Sequence, residues 1–218
     1  YFESIDGVQH YSFEGPHPAG NLSLHIQRLC PLNMSDRVWT VNPEDVVNIG
    51  RFINSGVFSP QRTVAVSGNA VENPKYFQTK IGAELAPIIN KVGVKFDNVR
   101  VINGDVLTGT TALISDYLGY FNNLVTVIPE GGHYRMFGWL PFKDNKILSL
   151  SNTSLSRLFN RKGFEVDTNL NGEERALVVT GEMEKIFPLD IYPMQLIKAC
   201  MTEDIEKMEA LGIYEVVP

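Results

Sequence analysis

The sequence predicts an α+β chain built from several modules, and three observations predict it. Apolar residues repeat at helical steps over Val46–Ile53 and then switch to strand alternation over Arg62–Gly68. Stretches rich in β-branched and aromatic residues, separated by Gly, Asn and Asp turns, crowd residues 122–181. Residues 182–218 turn helical, with a proline opening one segment and an acidic cap opening the next. The expected order is therefore the end of an α/β domain over 1–59, a β-grasp module over 60–120, an accessory antiparallel β region over 121–181 and the start of a helical domain over 182–218.

In the first module, VWTVN (Val38–Asn42) reads as a short strand. It leads into a helix with Asn42 as cap, Pro43 at the first helical position and Glu44 and Asp45 in the first turn. Val46, Ile49, Phe52 and Ile53 give that helix one apolar face, and Gly56 ends it. In the second module RTVAVSG (Arg62–Gly68) and KYFQTKIG (Lys75–Gly82) read as strands, with Asn73-Pro74 marking the turn between them. Ala83–Asn90 reads as a short helix despite Pro87, and VRVINGD (Val99–Asp105) as a strand before the Gly-rich turn LTGTT. Two strands, a helix and further strands in so short a span describe a β-grasp type of module.

NLVTVIP, HYRMFGWLP, NKILSLS and ERALVVTG supply the accessory region, interrupted by TSLSRLFNRKG (Thr153–Gly163), a helix with Leu155, Leu158 and Phe159 facing inward. At the C-terminal end Pro193 opens MQLIKAC, and Thr202-Glu203-Asp204 caps a second helix that stops at Gly212. Two short helices joined tightly make an αα-hairpin. No internal repeat appears, which argues against a solenoid.

Composition narrows the function. Of 218 residues 44% are hydrophobic and 20% charged, a globular balance, and the net charge of -6 comes without a Lys/Arg cluster. Phosphate-backbone binding is therefore disfavoured, and no nucleic-acid partner is expected. No apolar run reaches the roughly 18 residues of a membrane span; LVTVIP stops at Glu130. The chain starts at Tyr1 without a secretory pattern and stops at Val217-Pro218, so a piece of a longer polypeptide is the expectation. Cys30 and Cys200 lie far apart outside any Cys-x-x-Cys pair, and free thiols are expected rather than zinc or iron-sulfur ligands.

No nucleophile elbow, phosphate-binding P-loop or dinucleotide-binding glycine turn is present. The histidines are His10, His17, His25 and His133, and none has the four-residue spacing that puts two metal ligands on one helix face. The stretch EGPHPAGNLSLHI (Glu14–Ile26) holds two of them. Pro16 and Pro18 restrict the backbone around His17, and Gly15 and Gly20 permit turns at the ends, so one reading is a stiffened connection. The other has the stiff loop present the His17 imidazole to a quinone carbonyl for hydrogen bonding or proton transfer. PEGGH (Pro129–His133) fits a hairpin connection, Asp190 a helix-entry cap, and the scattered Met183, Met194, Met201 and Met208 adaptable packing or a partner surface.

Several ordered segments share one resemblance: GPHPAGNLSLHI, VWTVNPEDVVNIGRFINSG, RTVAVSGNAVENP, NGDVLTGTTA, PEGGHYRMFGWL and FPLDIYPMQLIKA. From about Phe13 to Gly212 the chain resembles the A subunits of bacterial sodium-translocating NADH:quinone oxidoreductases, without their N-terminal part and extreme C-terminus. The resemblance implies a peripheral subunit on the cytoplasmic side of the bacterial inner membrane. It would belong to a six-subunit complex that oxidises NADH, reduces ubiquinone and pumps Na+ outward with the help of flavins and an iron-sulfur cluster. It also implies a Rossmann-like part, a β-grasp module of the soluble-ligand-binding type and a C-terminal helical domain related to that of Rnf-type subunits. In those relatives cysteines around a proline hold iron-sulfur clusters. Here Ile186 and Phe187 precede the matching Pro188, and Asn21 and Leu22 follow Gly20 where the relatives carry an acid.

Packing of Leu189, Ile191, Met194 and Leu196 is expected to replace the lost ligation. The expectation is thus a docking part without a cofactor, catalytic residue or metal ligand of its own, with the other subunits as partners. A quinone-binding module, with His17 as the candidate contact, and an electron carrier of the Rnf type stand as alternatives.

Overall fold

A computed structural model describes residues 5–132, 164, 166–170 and 176–216. The chain is α+β and divides into two compact units: the described residues within 41–174, and those within 1–40 together with 175–218.

The larger unit is a five-stranded mixed sheet. β1 (Gln61–Ser67) and β2 (Lys75–Lys80) form an antiparallel hairpin in register from Gln61 opposite Lys80 to Val66 opposite Lys75. α3 (Leu85–Val92) follows, then β3 (Val99–Asn103), β4 (Thr110–Ala112) and β5 (Leu124–Pro129). The strand order is β2-β1-β5-β3-β4, with β5 parallel to β1 and antiparallel to β3. α2 (Pro43–Ser55) belongs to the same unit.

The core follows from period-two alternation. On β1, Arg62, Val64 and Val66 are buried while Gln61 and Thr63 are exposed. Val64 and Val66 join Val101, Val125 and Val127 beneath α3, whose Leu85, Ile88, Ile89 and Val92 recur at three- and four-residue steps. Burying each such side chain contributes about 1.5–3 kcal/mol. Gly68, at φ +125, allows the chain to leave β1 against β5, because a Cβ there would run into the Val127 carbonyl oxygen.

The smaller unit is helical: α1 (Leu22–Leu29), α4 (Glu182–Ile186), α5 (Pro193–Met201), α6 (Ile205–Ala210) and a 3-10 turn over Ile213–Glu215. Pro193 stands in the first turn of α5, and the Asp204 side chain accepts a hydrogen bond from the Lys207 N–H at the start of α6. Leu189, Met194, Leu196 and Ala199 are buried there, as is Ile26 of α1.

Four differences from the sequence expectations have physical causes. Val38–Asn42 is not a strand, and Trp39 is 92% exposed. Alternation makes a strand only where backbone groups find a partner, and among the described residues none pairs with this segment. Leu22–Leu29 is a helix that the Pro/Gly content of the preceding loop hides, although Leu22, Ile26 and Leu29 keep helical spacing. NLVTVIP is not accessory. As β5 it lies between β1 and β3 at the centre of the main sheet, which matches its burial from Val125 to Ile128. The turn LTGTT runs into a short strand, β4. In addition, Asn42 occupies the helix N-cap in extended conformation without a side-chain cap bond. HYRMFGWLP, NKILSLS and TSLSRLFNRKG lie outside the described residues, and the described part of ERALVVTG, 176–181, is not in a strand.

Candidate functional site

The loop ahead of α1 is the place the sequence singles out. His25, on the first half of α1, has its Nε2 2.7 Å from the Ala19 carbonyl oxygen, and its ring stacks on Phe13 with centroids 4.2 Å apart. Donation by that nitrogen fixes the Nε2–H tautomer. Turn bonds from the Ala19 N–H to the Pro16 carbonyl and from the Asn21 N–H to the Pro18 carbonyl wind the loop into the helix, and the His17–Pro18 peptide is cis. His25 is thus a strut of the loop. His17 is exposed, and its ring meets no hydrogen-bond partner among the described residues. The structure leaves His17 in the loop and places His25 on α1, and gives them no common target.

In the helical unit the sequence predicts that packing takes the place of metal ligation. Leu189, Met194 and Leu196 are buried, and half-buried Ile191 lies where a Cβ on Gly212 would meet its Cγ2 at 2.9 Å. Cys30 and Cys200 are both free and exposed. Among the described residues no three His, Cys, Asp or Glu side chains gather as metal ligands. A four-thiolate iron-sulfur cluster does not fit a chain with two cysteines.

The sheet unit holds two polar nodes that sequence reasoning misses. Arg62 is 2% exposed, its Nη2 donating to Asp45 Oδ1 at 2.7 Å while its Nε lies 4.0 Å from Glu44 Oε2. Glu44 Oε1 also accepts the Thr63 N–H at 3.1 Å. The two acids of the first turn of α2 therefore neutralise a cation that β1 places on its buried face. The available signal is Arg62 in phase with Val64 and Val66. At the second node Arg100 grips Glu130 through Nε at 3.0 Å and Nη2 at 2.6 Å, and Thr168 Oγ1 donates to Glu130 Oε1 at 2.7 Å. The Thr168 hydroxyl, followed by Arg100, holds the Glu130 carboxyl below its usual range against the opposing pull of desolvation. Thr168 Oγ1 in turn accepts the Gly131 N–H at 2.6 Å.

In a third arrangement Asp105 shapes the β3–β4 turn by accepting from the Leu107 and Thr108 N–H groups and the Thr108 hydroxyl at 2.7–2.9 Å. The Thr108 bonds lead in lowering its pKa. All three arrangements lock backbone and none presents a paired acid and base to an open cavity.

Comparison with known proteins gives the class first. A model described as "NqrA second alpha/beta domain" matches residues 1–58, and one described as "NQRA C-terminal domain" matches residues 63–113. The chain is 36% identical to the A subunit of the Na(+)-translocating NADH-quinone reductase of Neisseria meningitidis serogroup B, across 98% of this chain and 47% of that protein. For the protein of the same name from Hahella chejuensis the identity is 42% over 93% and 45%, and for that of Yersinia pseudotuberculosis 37% over 95% and 46%. The chain belongs to the family formed by the A subunits of the Na(+)-translocating NADH-quinone reductases. It spans about half the length of these curated relatives.

Proposed function

We propose that this chain is the docking and scaffolding part of the A subunit in a membrane complex that oxidises NADH, reduces ubiquinone and moves sodium ions out of the cell. The observation that carries this reading is sequence identity of 36–42% sustained over nearly the whole chain to proteins named as that subunit. The polar nodes support the scaffolding role, since Asp45, Asp105 and Glu130 are all spent on holding backbone and arginine side chains. In finer detail, residues 1–59 are the end of a Rossmann-like domain, the five-stranded sheet with α3 is a β-grasp module of the soluble-ligand-binding type, and α5 with α6 keeps the shape of a ferredoxin-like bundle without cysteine ligands. No helix among the described residues is long and apolar enough to cross a membrane, which is compatible with a peripheral subunit on the cytoplasmic face.

In this reading the scaffold carries no flavin, nicotinamide or cluster of its own, and electron transfer falls to the other subunits of a six-subunit assembly. Quinone contact through His17 has only that residue's exposure in its favour, and an Rnf-type electron carrier lacks its ligands. The test uses the full-length subunit, tagged and purified from bacterial membranes. Co-purification with sodium-dependent NADH:quinone reductase activity is the expected result; a subunit recovered without that activity overturns the proposal. A stoichiometric flavin or iron-sulfur absorption in the isolated subunit overturns its cofactor-free part.

A further inference from the structure

We propose that one end of the five-stranded sheet, where the β3–β4 turn meets the segment leading into β5, docks a basic segment of another subunit of the membrane complex. The inference rests on the reading above that the chain is a subunit of such a complex, and it names the surface and the chemistry of the partner.

Apolar groups lie bare there. Leu107 is 75% exposed, Phe121 72% and Tyr117 66%, with Val106 and Tyr120 near half. Contacts with the end of β3 bring these residues together. A Cβ on Gly104 would stand 3.0 Å from the Gly109 Cα and 3.2 Å from Asn122 Nδ2, so the turn and the segment before β5 close on the same point. The Gly104 N–H donates to the Leu124 carbonyl at 2.8 Å, and Asn103 Nδ2 donates to the Tyr117 carbonyl at 3.0 Å. Tyr120 and Phe121 meet edge to face at 4.8 Å.

The surface is also stiff. Asp105 ties down the Leu107 and Thr108 N–H groups, Asp116 accepts the Leu113 N–H at 2.7 Å, and Glu84 bridges to Tyr117 through the backbone. Exposed aromatic side chains on a fixed backbone lose little entropy on binding, the property that makes tyrosine and phenylalanine common in interface cores.

Charge selects the occupant. Glu84, Asp105 and Asp116 flank the apolar groups, and the sequence holds no Lys or Arg from residue 101 to residue 132. An anionic bilayer would be repelled, and so would the same acidic face of a second copy. An Arg- or Lys-bearing segment gains both the acids and the faces of Tyr117, Tyr120 and Phe121, which attract a cation placed over the ring.

The test uses the full-length protein expressed with its complex, which is purified through a tag on a different subunit, then washed at low and then high salt. The variants are the exposed double substitution Leu107→Ser with Phe121→Ser and the charge reversal Glu84→Lys. Expected is a drop of about tenfold or more in the amount of the double variant retained by the complex, which corresponds to the loss of about 1.4 kcal/mol or more. Glu84→Lys lowers retention at low salt, with the deficit against wild type narrowing as salt screens the charge. Circular dichroism melts within a few degrees of wild type establish that the double variant is folded; if it is not, Glu84→Lys decides. Retention of the deciding variant at the wild-type level overturns the inference. Phe121-dependent sedimentation of the wild-type protein with phosphatidylglycerol vesicles, or Phe121-dependent self-association, also overturns it. Failure of the wild-type protein itself to remain with the complex would instead count against the underlying reading.

Discussion

In the sheet unit Val64, Leu85, Val125 and Val127 have no exposed surface, whereas the helical unit buries Ile26, Leu189, Met194, Leu196 and Ala199 at 2–8% exposure and leaves Leu22, Leu29 and Met201 open. The difference reflects how each element finds cover. A mixed sheet with a helix across one face supplies both sides of its own core, while short helices shield only the stripe their neighbours reach. Isolated helices of this length are marginal in water, so the helical unit relies on those few buried side chains.

The comparison can be broken most directly by truncating equivalent leucines. Leu85→Ala should cost about 2–5 kcal/mol, and Leu196→Ala should fall near the bottom of that range because its smaller core relaxes more easily. Hydrogen exchange read segment by segment checks this: Leu196→Ala should raise exchange in α5 and α6 and leave β1 and β5 protected. An equal loss in both units would remove the distinction.

Charge provides the next test. Asp45→Ala leaves Arg62 buried with only Glu44 nearby and should destabilise the sheet unit by about 1.5–3 kcal/mol. Arg62→Met, which fills the space without charge, should cost less than Asp45→Ala, because removing one partner strands the other. Urea melts of the two variants rank them.

Acid sharpens the contrast further. Asp105 and Glu130 have folded pKa values below their usual 3.8 and 4.5, lowered first by Thr108 and by Thr168 respectively. Their contribution is present above those usual values and is lost as pH falls through the lower folded values. Melting temperature followed by circular dichroism should therefore fall as pH drops below about 4.5. Glu130→Gln and Asp105→Asn should flatten that dependence.

The smallest expected effects are in the Pro/Gly loop. His25→Ala removes the bond to Ala19 and the stacking on Phe13 and should cost about 1 kcal/mol. His17→Ala should stay within about 0.5 kcal/mol of the parent, as befits an exposed ring. Thermal melts of the two alanine variants compare them.

Much of this is legible from residue spacing alone. The alternation in RTVAVSG, the Pro43 start and Gly56 stop of α2, and the Asp204 cap are local chemistry, and all three stand in the structure. What escapes is non-local. VWTVN alternates but lacks a pairing strand among the described residues, while LVTVIP carries no local sign that its sheet partners lie on both sides of it. Arg62 looks like the first residue of a strand, because the acids that neutralise it lie seventeen positions or more before it. The role of His25 stays hidden, since the carbonyl that occupies it is a backbone group with no signature in the residue pattern.

The central place of β5 also sets the order in which the sheet can assemble. The β1–β2 and β3–β4 hairpins can each form early from near neighbours, yet β1 and β3 have no other link through the sheet until Leu124–Pro129 arrives to pair with both. During synthesis the two hairpins would wait with unpaired inner edges, the state most open to wrong strand partners. The rate of folding should then be governed by closure of the long connection from β1 to β5, a step slowed by its sequence separation.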